Sequence, residues 1–260
     1  MSLSIPDFLK RKTASLSRNV EVGWLLDTNQ AQFIWEAPRK LSRDYPPAHH
    51  AKSVAFCPAV LDHEARIFEI PCPIDVHLKF SMTGGPNGTP ALANAAGDQS
   101  TVRPKVLGQM MSLVGRKEWR HPDRPVVQII TPYIFVADEP VYLTQMPTFA
   151  HYRAAPLPGV LVAGRMPIHI WPRPMMWAFE WFDTSKDIIL KRGEPWFYVR
   201  FETHDPSRPV RLVEAEMTSA LREYLGGLSA VANYVNRTFS LFSTAKQRRP
   251  SKLLSKKHRD

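Results

Sequence analysis

Apolar and polar positions follow two different periods along this chain, and the change comes near Pro209. Before it, apolar residues gather in strand-length runs. PVVQIITPYIFVAD (125–138) predicts a strand pair or one long broken strand, and EPVYLTQMPTF (139–149) predicts another. GVLVAGRMPIHIWPRPMMWAFEWF (159–182) and DIILKRGEPWFYVRFETHD (187–205) continue the series. Turns rich in Pro, Gly and Asp separate these runs by about 8–12 residues, the spacing of a β sandwich or barrel. Upstream, VGWLLDTNQAQFIWE (22–36) reads as two short strands around Asp27-Thr28-Asn29. ARIFEIPCPIDVHLKFSM (65–82) alternates as one or two strands broken at Pro71-Cys72-Pro73. Residues 37–52, polar and interrupted by Pro, predict a loop, and SVAFCPAV (53–60) is a short apolar run. Residues 83–101, rich in Gly, Pro, Asn and Ala, predict a long loop. VLGQMMSLVGRKEW (106–119) fits a short helix or a strand.

After Pro209 the period becomes 3.6. In VRLVEAEMTSALREYL (210–225), Leu212, Val213, Glu216, Met217, Ala220, Leu221 and Leu225 share one helical face. Gly226-Gly227 is expected to end that helix, and Val231, Val235, Phe239 and Phe242 support a second one over 228–245. The expected organisation is a basic N-terminal segment (1–20), a β domain (21–209), a helical region (210–245) and a basic tail (246–260).

The stretch IHIWPRPMMWAFEWF (168–182) holds three of the seven Trp. Split by parity after Pro174, Trp177, Phe179 and Trp181 share one face, and Met176, Ala178, Glu180 and Phe182 the other. A strand apolar on both faces is central and covered on both sides, so the stretch reads as core. The alternative is an aromatic face lining a barrel that holds a ligand. Glu180 breaks the apolar pattern, and a buried carboxylate needs a partner; Arg165, Arg173 or Arg200 is expected to supply it.

Composition adds limits. A chain of 260 residues buries a sizeable core, and 24 Pro against 12 Gly favour β structure with irregular connections. No run approaches the ~18 apolar residues of a membrane helix, and the N-terminus lacks the apolar core of a secretory signal. A soluble protein, cytoplasmic or virion-associated, is expected. The net charge of +10 sits at the ends. Lys246, Arg248, Arg249, Lys252, Lys256, Lys257 and Arg259 against Asp260 give residues 246–260 a net +6, and residues 1–20 carry +3. That tail would bind nucleic acid or another polyanion, dock on a partner through Leu253-Leu254, or stay solvated. Cys57 and Cys72 read as free thiols.

HPDRPVVQIITPYIFVADEPVYL (121–143), PGVLVAGRMPIHIWPRPMMWAFEW (158–181) and IILKRGEPWFYVRFE (188–202), with FCPA at 56–59 and PCPID at 71–75, resemble a group of uncharacterised bacterial and phage β proteins. The likeness spans roughly residues 50–205. It implies a jelly-roll-like sandwich and no particular activity. KRGEPWFYVRF also looks like the closing strands of cupin-type jelly rolls. The expected fold is therefore mainly β, a jelly-roll or cupin-like sandwich with a C-terminal helical hairpin and a basic tail.

Three functions suit such a chain. The first is a non-enzymatic binding or assembly protein, phage-associated through the resemblance, without a cofactor, meeting a protein partner or a second copy through its C-terminal helices. The second is a mononuclear non-haem Fe(II) oxygenase. His121 and Asp123 have an H-x-D spacing, with His169 48 residues further on. Two His and one carboxylate leave open iron positions, and Arg173 would clamp an oxoacid cosubstrate. Against it, Pro122 makes the motif read as a turn. The third is a cupin-like small-ligand or sugar binder with Trp171, Trp177, Trp181 and Trp196 around its mouth. His63 and His77 with Cys57 and Cys72 offer a weaker mixed metal set. His49-His50 reads as solvent-exposed in a Pro-rich loop, and His204 reads as structural. No Walker A loop, G-x-G-x-x-G, G-x-S-x-G or C-x-x-C occurs.

Overall fold

The alternation of the central residues is realised as pairing in four sheets. A computed structural model describes residues 19–28, 32–42, 53–85, 88–95, 109–153, 155–234 and 238–257. In chain order the strands are β1 (Val20–Leu26), β2 (Arg39–Lys40), β3 (Ile67–Pro71), β4 (Val76–Thr83), β5 (Thr89–Asn94), β6 (Met111–Leu113), β7 (Val126–Ile130) and β8 (Tyr133–Val136). They continue as β9 (Val141–Met146), β10 (Gly159–Leu161), β11 (Arg165–Pro167), β12 (Met176–Trp181), β13 (Ile188–Leu190), β14 (Pro195–Thr203) and β15 (Val210–Glu214). The sheets run β11-β9-β14-β3-β2, β10-β12-β7-β6, β13-β4-β5 and β15-β1-β8. Every pairing is antiparallel except β1 with β15. All four sheets feed one contiguous core through residues such as Val22, Ile70, Leu78, Ile129, Phe135, Leu143, Trp177, Ile188 and Phe201. The chain is thus mainly β, as expected. Among the described residues no helix is long and apolar enough to cross a membrane.

In the β15-β1-β8 sheet, β1 and β8 bury apolar side chains on both faces. In β1, Val20 and Val22 join the main core, while Leu25 belongs to a second cluster. In β8, Tyr133 and Phe135 face the first, Ile134 and Val136 the second. This is the period of two put to use on both sides. The second cluster is closed by α2 (Ser219–Tyr234), α3 (Thr238–Arg248) and the chain beyond them, through Leu221, Tyr224, Leu228, Ala245, Leu253 and Leu254. A shorter helix, α1 (Pro58–Glu64), starts with Pro58 in its first turn, where the missing N–H costs nothing.

Several expectations are corrected here. Residues 210–214 form β15 rather than the first turns of a helix, because β1 offers a backbone partner from Val20↔Val210 to Trp24↔Glu214. The helix begins later, where the Thr218 hydroxyl accepts the Leu221 N–H at 3.1 Å. Gly226-Gly227 lies inside it. Packing of Leu221, Tyr224 and Leu228, spaced by three and four, outweighs the ~1 kcal/mol each Gly costs in a helix. The loop expected over 83–101 contains β5, paired with β4 from Leu78↔Asn94 to Thr83↔Thr89. Gly84 and Gly85 both take φ near +91°, which makes this turn without strain. Pro90 is tolerated because β5 pairs on one side alone. Gln32–Ile34 is a 3-10 turn, not a strand, and delivers Ile34 and Trp35 to the core from that turn. Residues 106–119 resolve, where described, into β6 and a 3-10 turn at Arg116–Glu118.

The basic tail starts inside α3, and from residue 249 to 257 it is a strap fixed to the body. Leu253 and Leu254 are 2% and 6% exposed. Their N–H groups donate to one oxygen of Asp138, at 2.6 and 3.2 Å. Lys256 bridges Ala215 through its backbone and Glu21 through its side chain at 2.7 Å. Lys257 meets Glu214 at 2.8 Å. Gly23 makes room for the strap. A Cβ there would overlap Leu254 and stand 2.9 Å from Ala215 and Val136.

Gly23→Ala should therefore destabilise the protein by roughly 2–3 kcal/mol, as overpacking does. In a Leu254→Ala background the same change should cost less than half as much, since the side chain it meets is gone. Urea denaturation of the four proteins of this cycle checks it; additive costs would separate Gly23 from the strap.

Candidate functional site

The aromatic stretch is core. Trp177, Phe179 and Trp181 are 1%, 1% and 0% exposed. Trp177 and Phe179 stack at 4.9 Å along β12, and Trp196 of β14 lies 5.9 Å from Trp177. The Trp181 indole N–H donates to the carbonyls of Asp183 and Lys186, at 2.9 and 3.0 Å. Trp171 packs instead on Phe242 of α3 at 5.3 Å, with the Arg173 guanidinium 5.2 Å from its ring. The four Trp expected around one mouth are thus divided. Trp177 and Trp196 border one cavity and Trp171 borders another. Trp181 is held in the core.

The cavity at Trp177 and Trp196 measures about 580 Å³. Its floor is Trp177, Phe179 and Trp196, and its wall is residues 147–153, 156 and 157 of the loop that joins β9 to β10. Three prolines limit that loop, and two clamps hold it. Arg153 donates through Nη1 to Glu194 at 3.0 Å and through Nη2 to the Pro195 carbonyl at 2.8 Å. Phe149 meets the buried Tyr198 edge-on at 5.4 Å. The His151 ring stands 3.6 Å from Glu194. Five buried side-chain polar atoms of the described residues lack a hydrogen-bond partner, and two belong to residues of this cavity: Arg153 Nε and Trp196 Nε1. Each unmatched buried donor costs about 1–3 kcal/mol, which an acceptor in the cavity would recover only with a small shift of the side chain that holds it, since both atoms are closed off. The lining offers aromatic surface, and the two donors belong to its residues but are closed off from it.

The residues expected to hold iron stand apart. His121 and Asp123 share an exposed turn, where His121 Nδ1 accepts the Asp123 N–H at 3.2 Å. The arginines on either side, Arg120 and Arg124, both reach Glu180 on β12, Arg124 at 3.9 Å. They, and not Arg165, Arg173 or Arg200, neutralise that carboxylate, which is 3% exposed. The WRHPDRP turn is thereby a clip onto β12. His169 sits elsewhere, with Nδ1 3.0 Å from the Val141 carbonyl at the start of β9. Its own carbonyl accepts from Arg249 Nε at 2.6 Å. Among the described residues no three His, Cys, Asp or Glu groups gather as a metal site. His77 is 2.6 Å from Asp187, and His63 packs on Phe149. Cys57 and Cys72 are free thiols. Cys72 donates to the Ile74 carbonyl, and burial pushes its thiol up to about 12. His49 and His50 lie outside the described residues.

The seven basic residues expected to meet a polyanion are also divided. Arg249, Lys256 and Lys257 face Asp138, Glu21 and Glu214 of the body. Lys246, Arg248 and Lys252 are exposed. Arg259 lies outside the described residues. No model of a known protein family matches the chain, and no curated protein or solved structure matches it. The cavity loop was the part sequence reasoning missed. Three prolines bracketing Phe, His, Tyr and Arg between two strand patterns were the available signal, since loops on a rigid scaffold carry function.

Two outcomes are expected from these contacts. Replacing both Arg120 and Arg124 by Ala strands the Glu180 carboxylate. The loss should be on the order of 2–3 kcal/mol, below that of a fully enclosed pair because both guanidinia are half in water. It should exceed the sum of the single losses; chemical denaturation of the three variants decides. Separately, burial first, then the charges of Arg249 and Lys246, lower the His169 pKa. The unfolded chain then binds the extra proton first, so stability falls as pH drops through the ordinary His value near 6.5. Between pH 7.5 and 5.5 the Tm of the native protein should fall more than that of His169→Gln. Parallel Tm profiles would remove His169 from the account.

Proposed function

We propose that this is a binding protein whose cavity beneath the 147–158 loop takes a small, flat, apolar molecule carrying a neutral hydrogen-bond acceptor. The observation that supports this is the pair of unmatched donors, Arg153 Nε and Trp196 Nε1, in residues that border an aromatic floor. A volume of about 580 Å³ falls within the usual span of small-molecule pockets. Glu194 already neutralises Arg153, so the fitting acceptor is a carbonyl or ether rather than a second carboxylate. Prolines in the wall and stacked rings in the floor make the site rigid, which lowers the ordering cost of binding. This deepens the non-enzymatic reading of the sequence. It also takes over the small-ligand reading, with Trp177 and Trp196 in place of all four Trp.

Calorimetric titration with 2-acetylnaphthalene and its acceptor-free analogue 2-ethylnaphthalene tests it. The ketone should bind about five- to tenfold more tightly, the value of one hydrogen bond of about 1–1.4 kcal/mol. Trp196→Phe, which keeps an aromatic ring, though a smaller one, and removes the N–H, should shrink that ratio. Equal affinities, or no binding of either, would overturn the reading.

A further inference from the structure

A second cavity, of about 360 Å³, is bounded by residues 171–174 ahead of β12 and by α2 and the residues just before it. Its apolar wall includes Trp171, Leu225 and Leu228. Three charged residues border it: Arg173, Arg222 and Asp27. Most described arginines stand within 4.0 Å of a carboxylate, among them Arg66, Arg120, Arg153, Arg165, Arg208 and Arg249. Arg173 and Arg222 have no such partner among the described residues, yet they border the same hollow.

The backbone is fixed at both, while both side chains are exposed. Arg173 is held between Pro172 and Pro174, which fix the backbone on either side. Its guanidinium stacks on Trp171 at 5.2 Å, and Trp171 is braced by Phe242. Arg222 sits in the first turn of α2, its N–H bonded to the Thr218 carbonyl at 2.9 Å. The Tyr224 hydroxyl pins the same helix to the Ile170 carbonyl at 2.6 Å, which fixes the spacing of the two walls.

We propose that this cavity is a site for a small organic carboxylate with an apolar body. The two guanidinia take the carboxylate in charge-assisted hydrogen bonds, and the apolar body lies against Trp171, Leu225 and Leu228. Asp27 sets the selectivity. It repels a second negative group, so a monocarboxylate is favoured over a dicarboxylate. The site is separate from the cavity beneath the 147–158 loop and stands or falls without it.

Calorimetry with 3-phenylpropanoate is the test, beside phenethylamine, which has a similar body and the opposite charge. The carboxylate should bind and the amine should not. Arg173→Gln and Arg222→Gln change exposed side chains and should fold; each should weaken the carboxylate at least tenfold. Asp27→Asn should strengthen it a few-fold. Trp196→Phe, at the other cavity, should leave it unchanged. Absence of carboxylate binding, binding of the amine, affinities indifferent to both Arg changes, or a loss caused by Trp196→Phe would each overturn the proposal.

Discussion

The burial of β1 and β8 on both faces is the constraint from which most of the architecture follows. β1 and β8 carry side chains of one parity into the main core and of the other into the cluster beneath α2 and α3. A sheet apolar on both faces cannot stand at a surface; something must cover the second side. The cover comes from the end of the chain: two helices in contact, and a strap that lays Leu253 and Leu254 against the same face. Gly23 is where that requirement becomes sharp. It leaves β1 without a side chain at the point where Leu254 arrives. The parallel pairing of β1 with β15 belongs to the same arrangement, since it draws the beginning and end of the β region together before the helices start.

The central strands were legible because their two-residue period matches what their surroundings demand. β7, β8, β9, β12 and β14 lie within the runs that alternation marks. Periodicity failed where two structures satisfy the same residues. Val210 and Leu212 alternate as strand positions, and Leu212, Val213 and Glu216 also share a helical face; the backbone partner on β1 decided between them. The strap was illegible for another reason. Its apolar content is two leucines among many cations, and composition treats such a segment as solvated. What fixes it is Asp138, more than a hundred residues earlier, with Glu21 and Glu214. No local pattern encodes a partner that distant.

Charge follows a similar logic throughout. Glu180, the one carboxylate on an apolar strand, is answered by arginines on both sides of a turn that sequence spacing alone offered as a metal motif. A His-x-Asp spacing is satisfied by any tight turn, so it carries chemistry only when a third ligand converges on it. Here the third residue, His169, is occupied with β9 and the strap.

Of the candidate site, the aromatic floor was visible in the sequence and the wall was not. The comparison between two tryptophans shows why the wall matters. Trp181 and Trp196 are both almost completely buried. Trp181 finds two carbonyls within its own turn, so its burial is complete in the chemical sense. Trp196 finds none. Arg153 cannot swing its Nε toward an internal partner without giving up Glu194 and the Pro195 carbonyl together. A protein interior rarely leaves two such donors beside one hollow, because each costs more than a typical hydrogen bond gains. Rigid prolines and stacked rings keep the chain from answering them, so the cost of both donors is held in the packing around the hollow.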